Sequence, residues 1–188
     1  MTRKWLGLAA GAVALCAASA APAAVLDVYG DTTNAPTFHR PFHTGTPPTT
    51  IDMRDFHFEA FSFSVSETGL YTGRVTSISP VRWDNVLGLY DTSFDPTQPL
   101  ENVLVYKDDT IGLDAQFETL LTAGKTYVAV VTGYHDYSAG SYRLTFDGSG
   151  TVTPTPGVPE PATWAMMIGG MGLVGGVMRR RVRTVVYA

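Results

Sequence analysis

Carboxylates gather in two places along the middle of this chain. Asp84, Asp91 and Asp95 flank one apolar run, and Asp108, Asp109 and Asp114 crowd a second turn. Oxygen donors collected in loops suit a hard cation such as calcium, which takes roughly six to eight oxygens and pins the loops that supply them. The adjacent pair Asp108 and Asp109 are the candidate ligands. Asp is equally a good turn residue, because its short side chain bonds the backbone two residues on, so the same spacing also fits plain turn chemistry. No other cofactor is implied.

Aromatic side chains beside polar groups form the other candidate sites. Trp83 precedes Asp84 and Asn85, and Tyr134, His135, Asp136 and Tyr137 run together before Gly140. Such faces suit carbohydrate or protein recognition. Core packing of Trp83 and ordinary hairpin chemistry in the 134–137 loop are the competing readings. Catalysis has less to work with. His39, His43, His57 and His135 are scattered, and Gly148-Ser149-Gly150 lacks the strand-to-helix elbow that exposes a nucleophilic serine. No HExxH, Walker loop or dinucleotide fingerprint occurs. The expectation is a protein that is not an enzyme.

The elements that must position these residues are strands. Phe61, Phe63 and Val65 alternate with Ser62, Ser64 and Ser66, and Tyr142, Leu144 and Phe146 alternate with Ser141, Arg143 and Thr145. Period two is the mark of a half-buried strand. Further short apolar runs cover 70–78, 86–90, 102–106, 114–121 and 127–132, with Asp108-Asp109 and Ala123-Gly124 as turns. Leu26 to Tyr29 reads as a strand, followed by a long loop to about Thr50. Phe56 and Phe58 have the opposite parity to Phe61 and Phe63, which predicts a bulge or break near Ala60. The fold class is therefore all-β, an antiparallel β-sandwich over residues 25–150.

Phe61-x-Phe63-x-Val65, Gly69, Leu87-x-Leu89-Tyr90-Asp91, Ala123-Gly124 with Tyr127-Val128, and Gly140-x-Tyr142-x-Leu144 together resemble the bacterial pre-peptidase C-terminal domain. The resemblance spans about 90 residues and implies a jelly-roll-like sandwich on a secreted protein.

Charge separates this middle from both ends. Residues 24–158 hold 16 Asp plus Glu against 7 Lys plus Arg. A passenger this acidic is repelled by phosphates, so nucleic acid is excluded as a partner. The remaining basic residues stand beside apolar ends. Arg3 and Lys4 precede the uncharged run Trp5 to Ala18, and Ala18-Ser19-Ala20 and Ala21-Pro22-Ala23 follow. That is a signal peptide over 1–24, cut by signal peptidase near Ala23 or Ala24. Leu15 before Cys16 is too large for a lipoprotein signal, and Cys16 is the one cysteine. The mature chain then has no thiol, which removes disulfides, cysteine-bound zinc and thiol catalysis together.

At the other end a Thr/Pro/Gly linker over 151–158 leads to Pro159-Glu160-Pro161 and Trp164-Ala165. Residues 162–178 carry no charge, and Arg179, Arg180 and Arg181 follow at once. As a helix the 17 uncharged residues span roughly 25 Å, at the short end for crossing a bilayer. The arginines stay cytoplasmic by the positive-inside rule, leaving the passenger outside the inner membrane.

The three parts in this order resemble the PEP-CTERM sorting tail, in its PEPxxWA variant, found in Gram-negative bacteria that make exopolysaccharide. In that family the tail implies recognition by exosortase, a membrane-embedded cysteine protease that removes the anchor near the Pro-Glu-Pro motif. Pro159, Glu160, Pro161, Trp164, Ala165, Arg179, Arg180 and Arg181 thus become a processing signal over 159–188. They would be read by another enzyme rather than form an active site. Val182 to Ala188 extends past the usual arginine-rich end.

The expected protein is a non-enzymatic surface or matrix protein associated with exopolysaccharide. It is anchored transiently in the inner membrane, then reaches the cell surface or medium. The alternative is a secreted carbohydrate- or calcium-binding module of adhesin type.

Overall fold

In β9 (Ser141–Gly148) the alternation of the sequence becomes a sheet with two faces. Tyr142, Leu144 and Phe146 are buried while Arg143 is exposed, because successive side chains of a strand point to opposite sides. The computed structural model describes residues 25–155. The segment 1–24 and the tail, with its expected helix over 162–178, lie outside the described residues.

Two antiparallel sheets face each other. One has the order β1-β9-β4-β7, from β1 (Leu26–Asp31), β4 (Gly69–Ser79) and β7 (Gln116–Leu121) beside β9. The other contains β3 (Ile51–Val65), β5 (Asn85–Asp91), β6 (Val103–Asp108) and β8 (Thr126–Gly133), in the order β3-β8-β5-β6. The short strands β2 (Thr37–Pro41) and β10 (Val152–Pro154) both pair with β3. Apart from the consecutive pairs β2–β3 and β5–β6, the chain alternates between the sheets, and each sheet interleaves early and late strands. This is jelly-roll connectivity, a double-sheet answer to the exposed-edge problem.

The core between the sheets joins Phe63 and Val65 of β3 to Leu87 and Leu89 of β5, Phe117 and Leu121 of β7, and Leu144 and Phe146 of β9. Phe63 and Phe146 cross the gap with ring centroids 4.5 Å apart. Truncating a ring buried this completely costs about 3–5 kcal/mol.

Three features differ from the sequence expectation. First, β3 runs unbroken, and its pairing with β8 from Phe58 to Ser64 has no register shift. The parity change near Ala60 reflects a second apolar cluster on the outer face of the sheet, not a bulge. Phe38, Phe56, Val86, Tyr90, Tyr106, Val128 and Val130 form that cluster, with Phe58 and Phe94 packed against it. The loop between β5 and β6 helps to cover it: Phe94 stacks edge-on against Tyr90 at 4.7 Å, and Tyr90 donates its hydroxyl to Pro99 O at 3.1 Å. Consequently β5 and β8 are buried on both faces and read as nearly continuous apolar runs.

Second, the expected long loop before Thr50 contains β2, whose Phe38 is set against Phe56 of β3. Third, the linker expected from Thr151 begins inside the fold. Val152 is buried in the inter-sheet core, and residues 152–154 pair with 63–65. A strand of three residues gives too short a periodicity to read, and it forms because β3 offers a free edge.

Candidate functional site

Antiparallel order brings the start of β5, the end of β6 and the end of β8 to the same end of one sheet. Val86 lies opposite both Asp108 and Thr132, and Asn85 lies opposite Gly133. Asp84 precedes β5 and is fixed there by the Tyr134 amide, which donates to Asp84 O at 3.1 Å. Residues two apart share a face. Asp84 therefore falls on the face of Val86, and Asp108 on the face of Tyr106, which is the outer, apolar one. Asp109 follows with a left-handed backbone, φ 37°. Asp84, Asp108 and Asp109 each place a carboxylate oxygen within 4.8 Å of the others.

The charges here are poorly solvated. Burial and the neighbouring carboxylates push Asp84 up to about 6, and burial together with Asp109 pushes Asp108 up to about 6. Arg40 and His135 act in the opposite sense on both. Arg40 is itself 1% exposed. Its guanidinium lies 4.4 Å over the Phe56 ring and donates to Tyr134 O at 2.9 Å and Pro41 O at 3.1 Å. It thus sits buried on an aromatic face and hydrogen-bonds backbone carbonyls. His43 approaches Asp108, Nε2 to Oδ2 at 4.0 Å, and packs against Tyr134. Burial, then the nearby Arg40 charge, lowers its pKa.

The sequence grouping of aspartates is rearranged by this geometry. Asp108 and Asp109 stay together and are joined by Asp84, not by Asp114. Asp114 instead accepts from Ser77 and Asn85 at 3.2 and 3.3 Å. Asp91 pairs with Lys125 at 2.6 Å, and Asp95 caps its own turn through the Thr97 amide at 2.8 Å. Asp84, grouped by sequence with Asp91 and Asp95, changes company. Its place two positions before Val86 is visible in the sequence, but the register that sets Val86 against Asp108 is not.

The aromatic candidates separate. Trp83 is a core residue, 6% exposed, with Nε1 donating to Ser141 O at 3.0 Å. His135 and Tyr137 stack at 4.9 Å with their planes 11° apart, and Tyr137 is 79% exposed. On the outer face of the other sheet, a shallow polar groove of about 260 Å³ is lined by Thr72, Arg74, Thr76, Gln116, Arg143 and Thr145 among others. The processing residues Pro159 to Ala165 and Arg179 to Arg181 lie outside the described residues.

Fold and surface together define a jelly-roll passenger with an acidic end and a polar, arginine-bearing groove. The tail supplies the second step. Residues 157–182 match the family model described as the PEP-CTERM protein-sorting motif. The motif implies processing by exosortase, and with it export and transient membrane anchoring before cleavage. No curated protein matches the chain. Among solved structures it is similar to the K3 cleaved adhesin domain of Lys-gingipain from Porphyromonas gingivalis w83. The TM-score is 0.32 and the identity 14%, over 64% of this chain and 73% of that one. So loose a likeness carries no functional weight.

Proposed function

We propose that this is a non-enzymatic protein of the cell surface or extracellular matrix, sorted by exosortase and held in association with exopolysaccharide. The PEP-CTERM motif at residues 157–182 carries the reading, because it dedicates the chain to this export route. Three of the passenger's four histidines have structural surroundings that support it: His57 Nδ1 is bonded to Ala35 O at 2.7 Å, His39 lies 3.4 Å from Asp55 at the surface, and His135 is stacked on Tyr137. Signal peptidase would remove residues 1–24, and no cofactor is needed for a structural role. Intact mass spectrometry of protein exported by the native host tests the route. The expected mature form ends near Pro159-Glu160-Pro161, whereas one retaining Trp164 through Ala188 means the segment is an ordinary anchor.

A second reading, a secreted carbohydrate- or calcium-binding module of adhesin type, is favoured by the groove. Arg143 and Arg74, the latter 3.4 Å from Asp114, stand with threonines, a glutamine and Asp147 in a groove whose mixed donors and acceptors suit the hydroxyls and carboxylates of a polysaccharide. Binding to a glycan array by the exported protein, lost in Arg143→Ala, would support it, and an array without hits would count against it.

A further inference from the structure

We propose that Asp84, Asp108 and Asp109 form a binding site for one hard divalent cation, calcium in its chemistry, at the end of the six-stranded sheet. This deepens the calcium reading above and is independent of the sorting route. It rests on two observations. The first is spacing. Oxygens that share one calcium lie about 2.3–2.6 Å from it and so no more than about 5 Å from one another. The three carboxylates meet that condition, with all three oxygens within 4.8 Å of each other.

The second is burial without a partner. The Asp108 side chain is only 9% exposed, and its Oδ1, out of reach of water, has no hydrogen-bond partner. Asp84 Oδ1 is in the same state. A buried carboxylate oxygen left unpaired is costly, and turn-forming aspartates avoid that cost by bonding the backbone, as Asp95 does with Thr97. Two such side chains, clustered with a third carboxylate, would be relieved by a positive charge bound among them. Arg40 does not supply it directly: its Nη1 and Nη2 donate to the carbonyls of Pro41 and Tyr134, and its Nε is unpartnered.

The donor set argues for the hard cation. Three carboxylates place oxygens within 4.8 Å of one another, a set that His43 does not join, although its Nε2 stands 4.0 Å from Asp108 Oδ2. Zinc prefers nitrogen or sulfur in a closed tetrahedron, while calcium accepts carboxylates and completes its shell with water. The elements tied together would be the start of β5 and the end of β6, and the Tyr134 amide bonded to Asp84 O links them to the segment after β8. The exposed His135–Tyr137 stack stands on the loop that follows β8, so cation binding would also steady that loop.

The test uses the full chain in detergent, stripped with EDTA and titrated separately with calcium, magnesium and zinc chlorides by calorimetry. The expected result is one calcium per chain and a melting temperature that rises with calcium, since a ligand held by the folded state alone stabilises it. Asp108→Asn should weaken calcium binding by about tenfold or more, because calcium affinity follows the number of charged ligands. It should also raise the melting temperature of the cation-free protein, because one of three mutually repelling carboxylates is gone. An aspartate serving only the turn would give neither effect. If Asp108→Asn does not fold, Asp84→Asn gives the same two readouts, and Asp95→Asn should leave binding unchanged. No calcium binding at about 10 mM, well above the range of extracellular modules, overturns the site. So does zinc binding tighter than calcium, or calcium affinity unchanged in the variant. None of these failures touches the exosortase reading, which rests on the mass of the exported protein.

Discussion

Asn85 Oδ1 accepts the amide of Ala115 at 2.9 Å, and Asn85 Nδ2 reaches Asp114 Oδ1 at 3.3 Å. One fully buried side chain thereby fastens the first residue of β5 to the approach of β7, in the opposite sheet. Ser77 of β4 joins the same knot, its hydroxyl 3.2 Å from Asp114 Oδ1 and 2.8 Å from Trp83 O. This polar lock sets the start of β5, and with it the position of Asp84.

Breaking that lock should be expensive. In Asn85→Ala the buried Ala115 amide loses its acceptor, a penalty of about 1–3 kcal/mol for one unsatisfied group. Asn85→Asp should be worse, because it sets a second carboxylate against Asp114. Denaturant midpoints of the two variants, compared with wild type, check both the size and the order.

Acid should expose a separate contribution from Asp52. Asp52 is 6% exposed, and its carboxylate accepts from Arg54 Nη2 at 2.6 Å and Nε at 3.1 Å. The Arg54 hydrogen bond holds the Asp52 pKa below its usual value. The folded state therefore binds this proton less readily than the unfolded chain. The stabilisation is fully present above the ordinary carboxylate range, near pH 4, and is lost as pH falls through the depressed value. Asp52→Asn should cost about 1 kcal/mol at neutral pH, kept modest because Arg54 is half in water. The gap from wild type should close in urea melts taken progressively below about pH 4.

The last strand offers a sharper test of where the domain stops. Val152 is 8% exposed and lies in the inter-sheet core, and Thr151 N donates to Ser66 Oγ at 2.9 Å. Val152→Asp puts a charge into that core and should lower stability by about 2 kcal/mol or more. Were residues 151–158 merely a linker, the substitution would leave the melting temperature unchanged.

Processing should depend on reach as well as on motif. Pro154 is paired with Phe63, and Pro159 is five residues further on. At about 3.3–3.6 Å per residue the motif lies no more than about 18 Å from the sheet. Deleting residues 155–158 should draw the motif under the domain and slow cleavage. Glu160→Ala should leave insertion intact and block cleavage, and replacing Arg179, Arg180 and Arg181 with Glu should weaken the topology signal. Fractionation followed by intact mass spectrometry separates the outcomes: a tethered, uncut chain for the first two and a misoriented chain for the third.

What the sequence determined by itself is what is written locally. Alternation in 141–146 and 61–65 specifies strands and their buried sides, because period two is a property of one strand whatever its partner. The Pro-Glu-Pro tail is legible for a similar reason: a processing signal is read as a short linear segment. Tertiary structure decided everything that depends on which strand lies beside which. The change of parity between Phe58 and Phe61 has two explanations along the chain, and the cover supplied by Phe38 and Phe94 selects two-sided burial. Strand β10 is too short to announce itself and β2 holds one large apolar residue, Phe38, among polar residues and a proline, and both exist because β3 has edges to pair. The acidic site shows the same division. Asp108 and Asp109 are neighbours in sequence, but Asp84 joins them only through the register of β5 against β6. Register is set by packing across a whole sheet, and no local pattern encodes it.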